Sequence, residues 1–360
     1  MKKTIAILST LLLTCLVHMS AHDEIDFRDG PVPYISGQNG YIILRAKDGT
    51  LTDEVRLVGP GIDMVNSDVY TGGEDVPDEV THDGKTYKVV EFGHFSSHQE
   101  FILRRLKFGK NMRRVSVNRR NFNLPDGIEV SAENKHLKSI DGILYSADCK
   151  TLLLCPLSLS NDYSPKVVSI PDEVEFISVN AFENCHYVVI DHLPKSLKRI
   201  GAYAFMGTKN MPEELVVPEG VTGIGNLALA SSSIRKIILP STLMIFGELP
   251  SKSNLECIVC LAPAVPFHTP RNFSPEWADD YNARQAVLLV PEESVELYRQ
   301  DPYWGKLTNI YAYKDPTAIA SVLSENNNAS GVYFDLQGRR LSGKPSKGVY
   351  IENGKKRVVK

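Results

Sequence analysis

The chain has 360 residues, of which 42% are hydrophobic and 23% are charged, and its formal net charge at pH 7 is −3. This length and apolar content are sufficient for a large core or an elongated repeat array, and the mild acidity gives no support for a nucleic-acid-binding protein. Five cysteines follow residue 21, and such an odd, scattered set argues against a disulfide framework.

The first predicted element is a secretory signal peptide, residues 1–21. Two lysines open it, Thr4 to Val17 form its apolar stretch, and Ala21 is the expected cleavage residue. The apolar run is too short to cross a bilayer and no comparable run follows, so we predict an exported protein that is not integral to a membrane. Cleavage would remove two lysines and no acid, which shifts the net charge from −3 to −5. A lipid anchor at Cys15 is an alternative, but the residues before it fit lipidation poorly.

Residues 22–82 are β-like, with strand-like runs at GYIILRA and EVRLVGP. We predict that they form an N-terminal β cap, because the first unit of an elongated core needs a cover. Next along the chain, Glu91, His94 and His98 have the spacing E-x-x-H-x-x-x-H. On a helix the two histidines would share a face and could hold a metal. A turn is expected there instead and no fourth ligand is evident, so we predict surface histidines, no metal and no cofactor.

The most distinctive charged segment runs from Arg104 to Arg120 and contains no acid. Leu106 and Phe108 alternate with two cations, so an extended chain would direct apolar groups inward and cations outward. Two interpretations stay open: a solvated face, or a strip that binds an anionic glycan, a lipid headgroup or an acidic protein surface. We call the following residues the basic strip: Arg104, Arg105, Lys107, Lys110, Arg113, Arg114, Arg119 and Arg120.

A hairpin insertion is predicted at residues 128–156. The apolar runs Ile143 to Tyr145 and Leu152 to Leu154 flank a polar stretch, Ser146 to Lys150. Two strand-like runs joined by a short polar turn are typical of a β-hairpin.

From residue 170 a pattern recurs with a period of about 23 residues. The stretches IPDEVEFISVNAF, LPKSLKRIGAYAF, VPEGVTGIGNLAL and LPSTLMIFGELPS begin at Ile170, Leu193, Val217 and Leu239. Several columns recur together, which indicates a repeat array. The columns that define the scaffold contain Pro171, Pro194, Pro218 and Pro240, then Gly201, Gly225 and Gly247, then Phe182 and Phe205.

Each column has a predicted role in one coil of a solenoid. Proline has no N–H, so it closes a short strand where no further ladder bond is needed. The glycine column allows a backbone bend that a β-carbon would hinder, and the Phe or Leu column fills the centre. A single repeat buries too little apolar surface to offset its loss of backbone entropy, whereas stacked repeats share a continuous core. Positions that vary between repeats, such as Lys195, Ser196, Lys198 and Arg199, are where recognition would be encoded.

The pattern I/L-P-x-x-V/L-x-x-I-G-x-x-A-F resembles the BspA-type leucine-rich repeat of exported bacterial proteins. Asp83 to Phe95 and Leu103 to Val115 resemble degenerate upstream repeats, although Phe108-Gly109 stands where Ile-Pro is expected. The hairpin at 128–156 resembles an insertion common in the family. The resemblance implies a β-rich solenoid with N- and C-terminal caps, leucine-rich repeats over residues 83–261, and a role in adhesion or in host and glycan interaction.

Three segments are predicted after the repeats. Residues 262–315 form a C-terminal cap, with a strand and a short amphipathic helix from Pro291 whose Val295, Leu297, Tyr298 and Trp304 would pack on the last coil. Residues 316–331 are polar and form a linker. Residues 332–360 resemble a C-terminal module of exported Bacteroidetes proteins related to type IX secretion sorting signals. Their alternation predicts a short β-hairpin module with its turn near Gly343 to Ser346.

No catalytic motif was found in the sequence. Cys257 and Cys260 form a C-x-x-C, but they lie in an apolar strand-like run without a second pair, so we predict buried structural thiols in place of a redox or zinc site. No zincin, nucleophile-elbow, phosphate-loop or dinucleotide motif occurs. We therefore predict a secreted or outer-membrane-surface, non-enzymatic binding protein with a protein or glycan partner. The alternatives are a structural component of the cell envelope and, less favoured, a hydrolase with a site in the caps.

Overall fold

The computed structural model describes most of the chain between residues 33 and 359, and every structural statement below concerns those residues. The predicted signal peptide, Cys15 and the predicted linker lie outside them. The described ranges are 33–36, 39–60, 69–70, 75–93, 100–101, 103–117, 122–159, 163–190, 192–248, 255–268, 286–313, 333–334, 340–341, 348–352 and 355–359.

The N-terminal region is built from strands. They are β1 (Pro33–Ser36), β2 (Asn39–Arg45), β3 (Leu51–Pro60), β4 (Val69–Tyr70), β5 (Asp75–Val76), β6 (Glu79–His82), β7 (Lys85–Gly93), β8 (Glu100–Phe101), β9 (Arg105–Phe108) and β10 (Arg114–Ser116). β1, β2 and β3 form an antiparallel meander, after which β3, β7 and β10 pair in parallel and β6 folds back on β7. β5 pairs with β9 in a second sheet, and β4 pairs with β8. β9 and β10 are consecutive in the chain but belong to different sheets.

The predicted hairpin is present in the next group of strands. They are β11 (Gly127–Val130), β12 (Leu137–Ile140), β13 (Ile143–Ser146) and β14 (Thr151–Leu154). β11 lies parallel to β9, whereas β12, β13 and β14 are antiparallel neighbours. β14 then begins the parallel stack that follows.

The repeat region forms one long parallel ladder and, opposite it, two shorter parallel ladders. Its strands are β15 (Lys166–Val168), β16 (Phe176–Ile177), β17 (Val188–Ile190), β18 (Arg199–Ile200), β19 (Glu214–Val216), β20 (Gly223–Ile224), β21 (Lys236–Leu239), β22 (Ile245–Phe246), β23 (Cys257–Cys260) and β24 (Phe267–His268). We call the order β14-β16-β18-β20-β22-β24 the main ladder. β15 pairs with β17 and β19 pairs with β21 and then β23. The predicted β-solenoid is confirmed.

The core fills the space between the ladders. One apolar cluster extends from Ile143 to Ile310 and includes the inward-facing residues of the main-ladder strands β14 to β22, while a second cluster serves the N-terminal sheets. Phe182 and Phe205 are fully buried and stack with their ring centroids 5.2 Å apart. The Phe column therefore fills the centre of the coils, as its sequence predicted.

The column prolines have the role predicted for them, whereas the column glycines are required for a different reason from the predicted one. The carbonyl of each column proline accepts a hydrogen bond from the N–H three residues later, so each proline opens a turn after a strand. A β-carbon on Gly201 would lie 2.5 Å from the Val179 nitrogen, and one on Gly225 would lie 2.8 Å from the Ala202 α-carbon. Neither glycine has the left-handed backbone that would require it. The column is glycine because successive coils approach each other too closely for a side chain, not because the chain bends there.

The described C-terminal part of the solenoid has the predicted strand and helix. It contains β25 (Val287–Val290), a 3-10 turn at Glu292–Ser294, α1 (Val295–Gln300), a second 3-10 turn at Trp304–Lys306 and β26 (Asn309–Ala312). Tyr298 and Trp304 are fully buried in the main cluster. Leu297 is 54% exposed, so its predicted packing on the last coil is wrong: it points away from the coil on the one-and-a-half-turn helix. None of the helices in the described ranges is long and apolar enough to span a membrane.

The C-terminal module is a four-stranded sheet. Its strands are β27 (Tyr333–Phe334), β28 (Arg340–Leu341), β29 (Gly348–Glu352) and β30 (Lys355–Val359), in the order β28-β27-β29-β30. The predicted single hairpin with its turn near Gly343 to Ser346 is wrong, because β28 and β29 are not neighbours. β29 pairs with β30 up to Glu352 and Lys355, across the sequence Asn353-Gly354. That dipeptide is a strong hairpin signal, and the sequence prediction overlooked it.

Candidate ligand-binding surfaces

The basic strip is continuous in sequence but divided in space. In β9, Leu106 and Phe108 are buried and Arg105 and Lys107 are half-buried, so the predicted alternation is confirmed. Arg105 and Lys107 lie in the sheet of β5 and β11, whereas Arg114 lies in the sheet of β3 and β7. Lys110 is exposed in the turn between the two strands. Arg119 and Arg120 lie outside the described residues.

Five cations of the strip are paired with carboxylates from neighbouring coils. Arg104 donates to both carboxylate oxygens of Asp126, at 2.8 and 3.0 Å. The other four pairs are Arg105 with Glu129 at 3.4 Å, Lys107 with Asp75 at 3.4 Å, Arg114 with Glu91 at 3.5 Å, and Arg113 with Glu54. The strip contains no acid, yet stacking brings acids beside it from 22 to 59 residues away in the sequence. Binding of an anionic ligand by the strip stays a prediction.

Glu91 of the E-x-x-H-x-x-x-H sequence is engaged in ion pairs. Its carboxylate accepts hydrogen bonds from Arg56 Nε at 2.8 Å and Nη2 at 2.6 Å, and the two side chains are only 14% and 10% exposed. His94 and His98 lie outside the described residues. Within the described ranges, no three His, Cys, Asp or Glu side chains are grouped so as to hold a metal ion.

The two cysteines of the C-x-x-C lie on opposite faces of β23. Cys260 belongs to the main core cluster, whereas Cys257 packs with Val259, Val287 and Leu289 on the other face of the sheet. Residues three apart in a strand point in opposite directions, so the two thiols cannot form a disulfide or share a metal. Burial raises the pKa of Cys257 to about 12 and also raises the pKa of Cys260. Both are buried free thiols, as predicted.

The main ladder presents two outward residues in each coil. In three of the four steps from β14 to β22 one carbonyl accepts hydrogen bonds from two consecutive N–H groups: Lys150 from Glu175 and Phe176, Glu175 from Lys198 and Arg199, and Thr222 from Met244 and Ile245. Such a bulge places two adjacent side chains on the same side of a strand. We call the following residues the ladder face: Lys150, Thr151, Glu175, Phe176, Lys198, Arg199, Thr222, Gly223, Met244, Ile245 and Phe267.

The first half of the ladder face is charged. Glu175 lies between Lys150, at 3.0 Å, and Lys198, and hydrogen bonds from Lys198 and then Lys150 lower the pKa of this carboxyl group. The Arg199 guanidinium lies 5.9 Å from the centroid of the Phe176 ring. The Arg199 side chain forms no hydrogen bond or ion pair with any described residue, although it is half-buried. It is therefore the cation of this face that is available to a ligand.

The second half of the ladder face is apolar. Met244 is 43% exposed and Phe267 is 50% exposed, and Ile245 lies between them in register with Phe267. Gly223 separates Arg199 from Ile245 without adding a side chain. Lys198 and Arg199 are among the variable positions predicted from the sequence, whereas Met244 and Phe267 were not predicted. The signal that could have located Met244 is its position two residues before Phe246 of the inward column.

Similar chains are found among solved structures. No curated protein matches the chain. The solved structures that it resembles include the pneumococcal vaccine antigen PcpA, with 13% identity, a TM-score of 0.36 and coverage of 79% of this chain and 100% of that one. A leucine-rich repeat protein from Eubacterium ventriosum has 18% identity, a TM-score of 0.37 and coverage of 56% and 58%. One from Bacteroides ovatus has 16% identity, a TM-score of 0.34 and coverage of 78% and 76%.

The family comparison covers the regular coils. Residues 159–260 match the BspA type leucine rich repeat region in six copies. The matched range includes β15 to β23 and all four repeats aligned from the sequence. The chain thus contains a BspA-type leucine-rich repeat region, which confirms the family resemblance inferred from its columns.

Proposed function

We propose that this chain is an exported, non-enzymatic binding protein of the cell surface that holds a macromolecular partner, protein or glycan, on its ladder face. The leucine-rich repeat family supports a binding or adhesion role in general. The single observation that carries the choice of surface is the ladder face itself, where half-exposed apolar side chains share a face with a cation, Arg199, that has no carboxylate partner among the described residues.

The construction of the coils suits this role. The inward columns fix the fold, while the two outward residues of each coil can change without disturbing the backbone hydrogen bonds. Lys-Thr, Glu-Phe, Lys-Arg, Thr-Gly and Met-Ile occupy the equivalent outward pairs from β14 to β22. Solvent-exposed Met and Phe side chains gain about 25 cal/mol for each Å² that a partner removes from water. Contiguous exposed apolar groups with a polar rim are typical of interaction sites.

The experiment compares two surface variants in one binding screen. The full chain would be tested on a glycan array and a panel of matrix proteins, together with Met244→Ser/Phe267→Ser and the control Val167→Ser/Tyr187→Ser. Val167 and Tyr187 are 61% and 36% exposed but belong to the other side of the coils, at β15 and β17. We expect the first variant to lose binding and the control to keep it. If only the control variant lost binding, the binding surface would lie outside the ladder face.

The two alternatives make different predictions in the same screen. A structural envelope component would bind no member of either panel, although it would fold normally. A hydrolase would release product from a bound glycan or protein, and its activity would not depend on Met244 or Phe267. Product analysis of each positive interaction by mass spectrometry separates these cases from simple binding.

A further inference from the structure

We infer that the partner of the ladder face is a polypeptide segment in extended conformation, with a carboxylate that pairs with Arg199 and an apolar side chain that covers Met244 and Phe267. This inference rests on the proposed function and adds the chemical class of the ligand. Its basis is the arrangement of one cation and one apolar surface at a fixed separation on the same face.

The cation requires an anionic group on the ligand. Arg199 is held beside the Phe176 ring at 5.9 Å and has no carboxylate partner among the described residues. Lys150 and Lys198 share Glu175, so they provide little further attraction. A guanidinium binds a carboxylate with two parallel hydrogen bonds, which is the strongest polar contact available to a protein ligand.

The apolar half requires a large apolar group on the same ligand. Met244 and Phe267 are about half exposed and flank Ile245. A neutral glycan would leave Arg199 without an anion, and an anionic glycan has no large apolar group to cover Phe267. A peptide provides both kinds of side chain on one chain, so the complementarity of charge and apolar surface favours a peptide.

The register of the ladder sets the spacing of these two groups. Arg199, Gly223, Ile245 and Phe267 are successive partners on β18, β20, β22 and β24. Neighbouring strands are about 4.8 Å apart, so Arg199 and Phe267 are separated by about 14 Å across the ladder. An extended peptide advances about 3.4 Å per residue. The carboxylate and the apolar residue of the ligand should therefore be about four positions apart, with the peptide crossing the strands.

The test is a selection from a random dodecapeptide library displayed on phage, with the full chain as the immobilised target. We expect enrichment of sequences with Asp or Glu three to five positions from Phe, Leu, Met or Trp. Synthetic peptides from the selection should lose affinity by about tenfold or more on Arg199→Gln, as expected for a charge-assisted pair. They should lose a similar factor on Phe267→Ser, and Val167→Ser should change nothing.

A charge exchange makes the inference specific. Arg199→Glu should reject the acidic peptides and bind versions with Lys in place of the acid, which a general loss of folding would not produce. Selected peptides without an acid, or peptides insensitive to Arg199→Gln, would overturn the inference. Glycan binding lost in Met244→Ser/Phe267→Ser but unchanged in Arg199→Gln would also overturn it, while the proposed function would stand.

Discussion

The regular coils of residues 163–248 and the irregular coils of residues 54–130 are both joined by backbone pairing and by ion pairs, but the arrangement of these contacts differs. In the regular coils the turns also bond to each other through the backbone: Phe182 N–H donates to the Ala204 carbonyl at 2.7 Å, and Phe205 N–H donates to the Ala228 carbonyl at 2.7 Å. Ion pairs such as Lys236–Glu214 lie on the outside of these coils. In the irregular coils, ion pairs from Arg56–Glu91 to Arg105–Glu129 link strands that also pair in parallel, and the Arg56–Glu91 pair is largely buried.

The difference explains where the repeat is visible in the sequence. Close backbone contact restricts a position to one residue type, so the glycine and proline columns are sharp where backbones approach. An ion pair can be formed by many combinations of residues on two coils, so it leaves no column. Both regions nevertheless keep nearly the same step, since β7 and β10 pair at Phe92 and Val115, 23 residues apart.

The largest effect that we expect is on stability, and it should distinguish substitution of Gly225 from substitution of Gly223. A β-carbon on Gly225 would overlap the backbone of Ala202, whereas one on Gly223 would make ordinary contacts of 3.9 Å with Arg199 and Ile245. Gly225→Ala should lower the free energy of unfolding by about 3 kcal/mol, as expected for overpacking against backbone that cannot move. Gly223→Ala should change it by less than about 0.5 kcal/mol. Urea denaturation followed by circular dichroism would measure both, and equal effects would contradict the close-packing explanation.

The second prediction compares ion pairs within the irregular coils. The Arg56 and Glu91 side chains are 10% and 14% exposed, whereas those of Arg104 and Asp126 are 60% and 36% exposed. A double-mutant cycle to Ala should give a coupling energy of about 2 kcal/mol for the first pair and below about 0.5 kcal/mol for the second. Denaturation of the six variants and the wild type provides the two values. Similar couplings would mean that burial does not decide which pair holds the coils together.

The sequence predicted the regular coils better than the irregular ones for physical reasons. The repeat period, the inward columns and the β13–β14 hairpin were predictable because single backbone positions in them accept few residue types. Asn180, Tyr203 and Leu227 show the limit: all three have left-handed φ angles, of 59°, 58° and 52°. Tyrosine and leucine disfavour that conformation, but hydrogen bonds to the next coil impose it, as from Tyr203 N–H to the Asn226 carbonyl. No local propensity could have revealed it.

The ladder face was only partly predictable for a related reason. Lys198 and Arg199 could be predicted as recognition positions because their residue types vary between the repeats, and positions outside the scaffold are free to vary. Lys195 is exposed as well, but Ser196 donates its hydroxyl to the Val174 carbonyl at 2.9 Å and so serves the scaffold. Met244 and Phe267 are of residue types that are usually buried. Met244 reaches the surface where the Thr222 carbonyl accepts hydrogen bonds from the N–H groups of both Met244 and Ile245.

The third prediction concerns the end of the main ladder, where side chains again make the contact. His268 stacks on Tyr303 with 3.6 Å between ring centroids, and its Nδ1 is buried without a partner among the described residues. Burial lowers the pKa of His268, and the nearby charges of Lys306 and Asp301 act in opposite directions. The unfolded chain therefore binds a proton more readily than the folded chain below the ordinary histidine pKa of about 6.5.

The free energy of unfolding should consequently decline as the pH falls from about 6.5 toward the lower pKa of His268 in the folded chain. Above about pH 6.5, His268 should make no contribution to the pH dependence. Melting temperatures of the wild type and His268→Gln at several pH values between 5 and 8 would measure the effect. We expect a shallower slope in the variant, because glutamine does not titrate. Parallel pH profiles would show that His268 contributes nothing to the slope.

The smallest effect we expect is the affinity of the basic strip for an anionic polymer. Five of its cations already have carboxylate partners, and the strands of the strip belong to two different sheets. On a heparin column, the wild type should therefore be retained weakly, and Arg104→Ser/Arg105→Ser/Arg113→Ser/Arg114→Ser should abolish both retention and its salt dependence.

Removal of the carboxylates is the informative control. Asp126→Asn/Glu129→Gln keeps every cation of the strip and neutralises two of their partners, so it should be retained more strongly than the wild type. Absence of wild-type retention, or retention unchanged in the serine variant, would count against an anion-binding strip. In that case the cations of the irregular coils would act only between neighbouring coils.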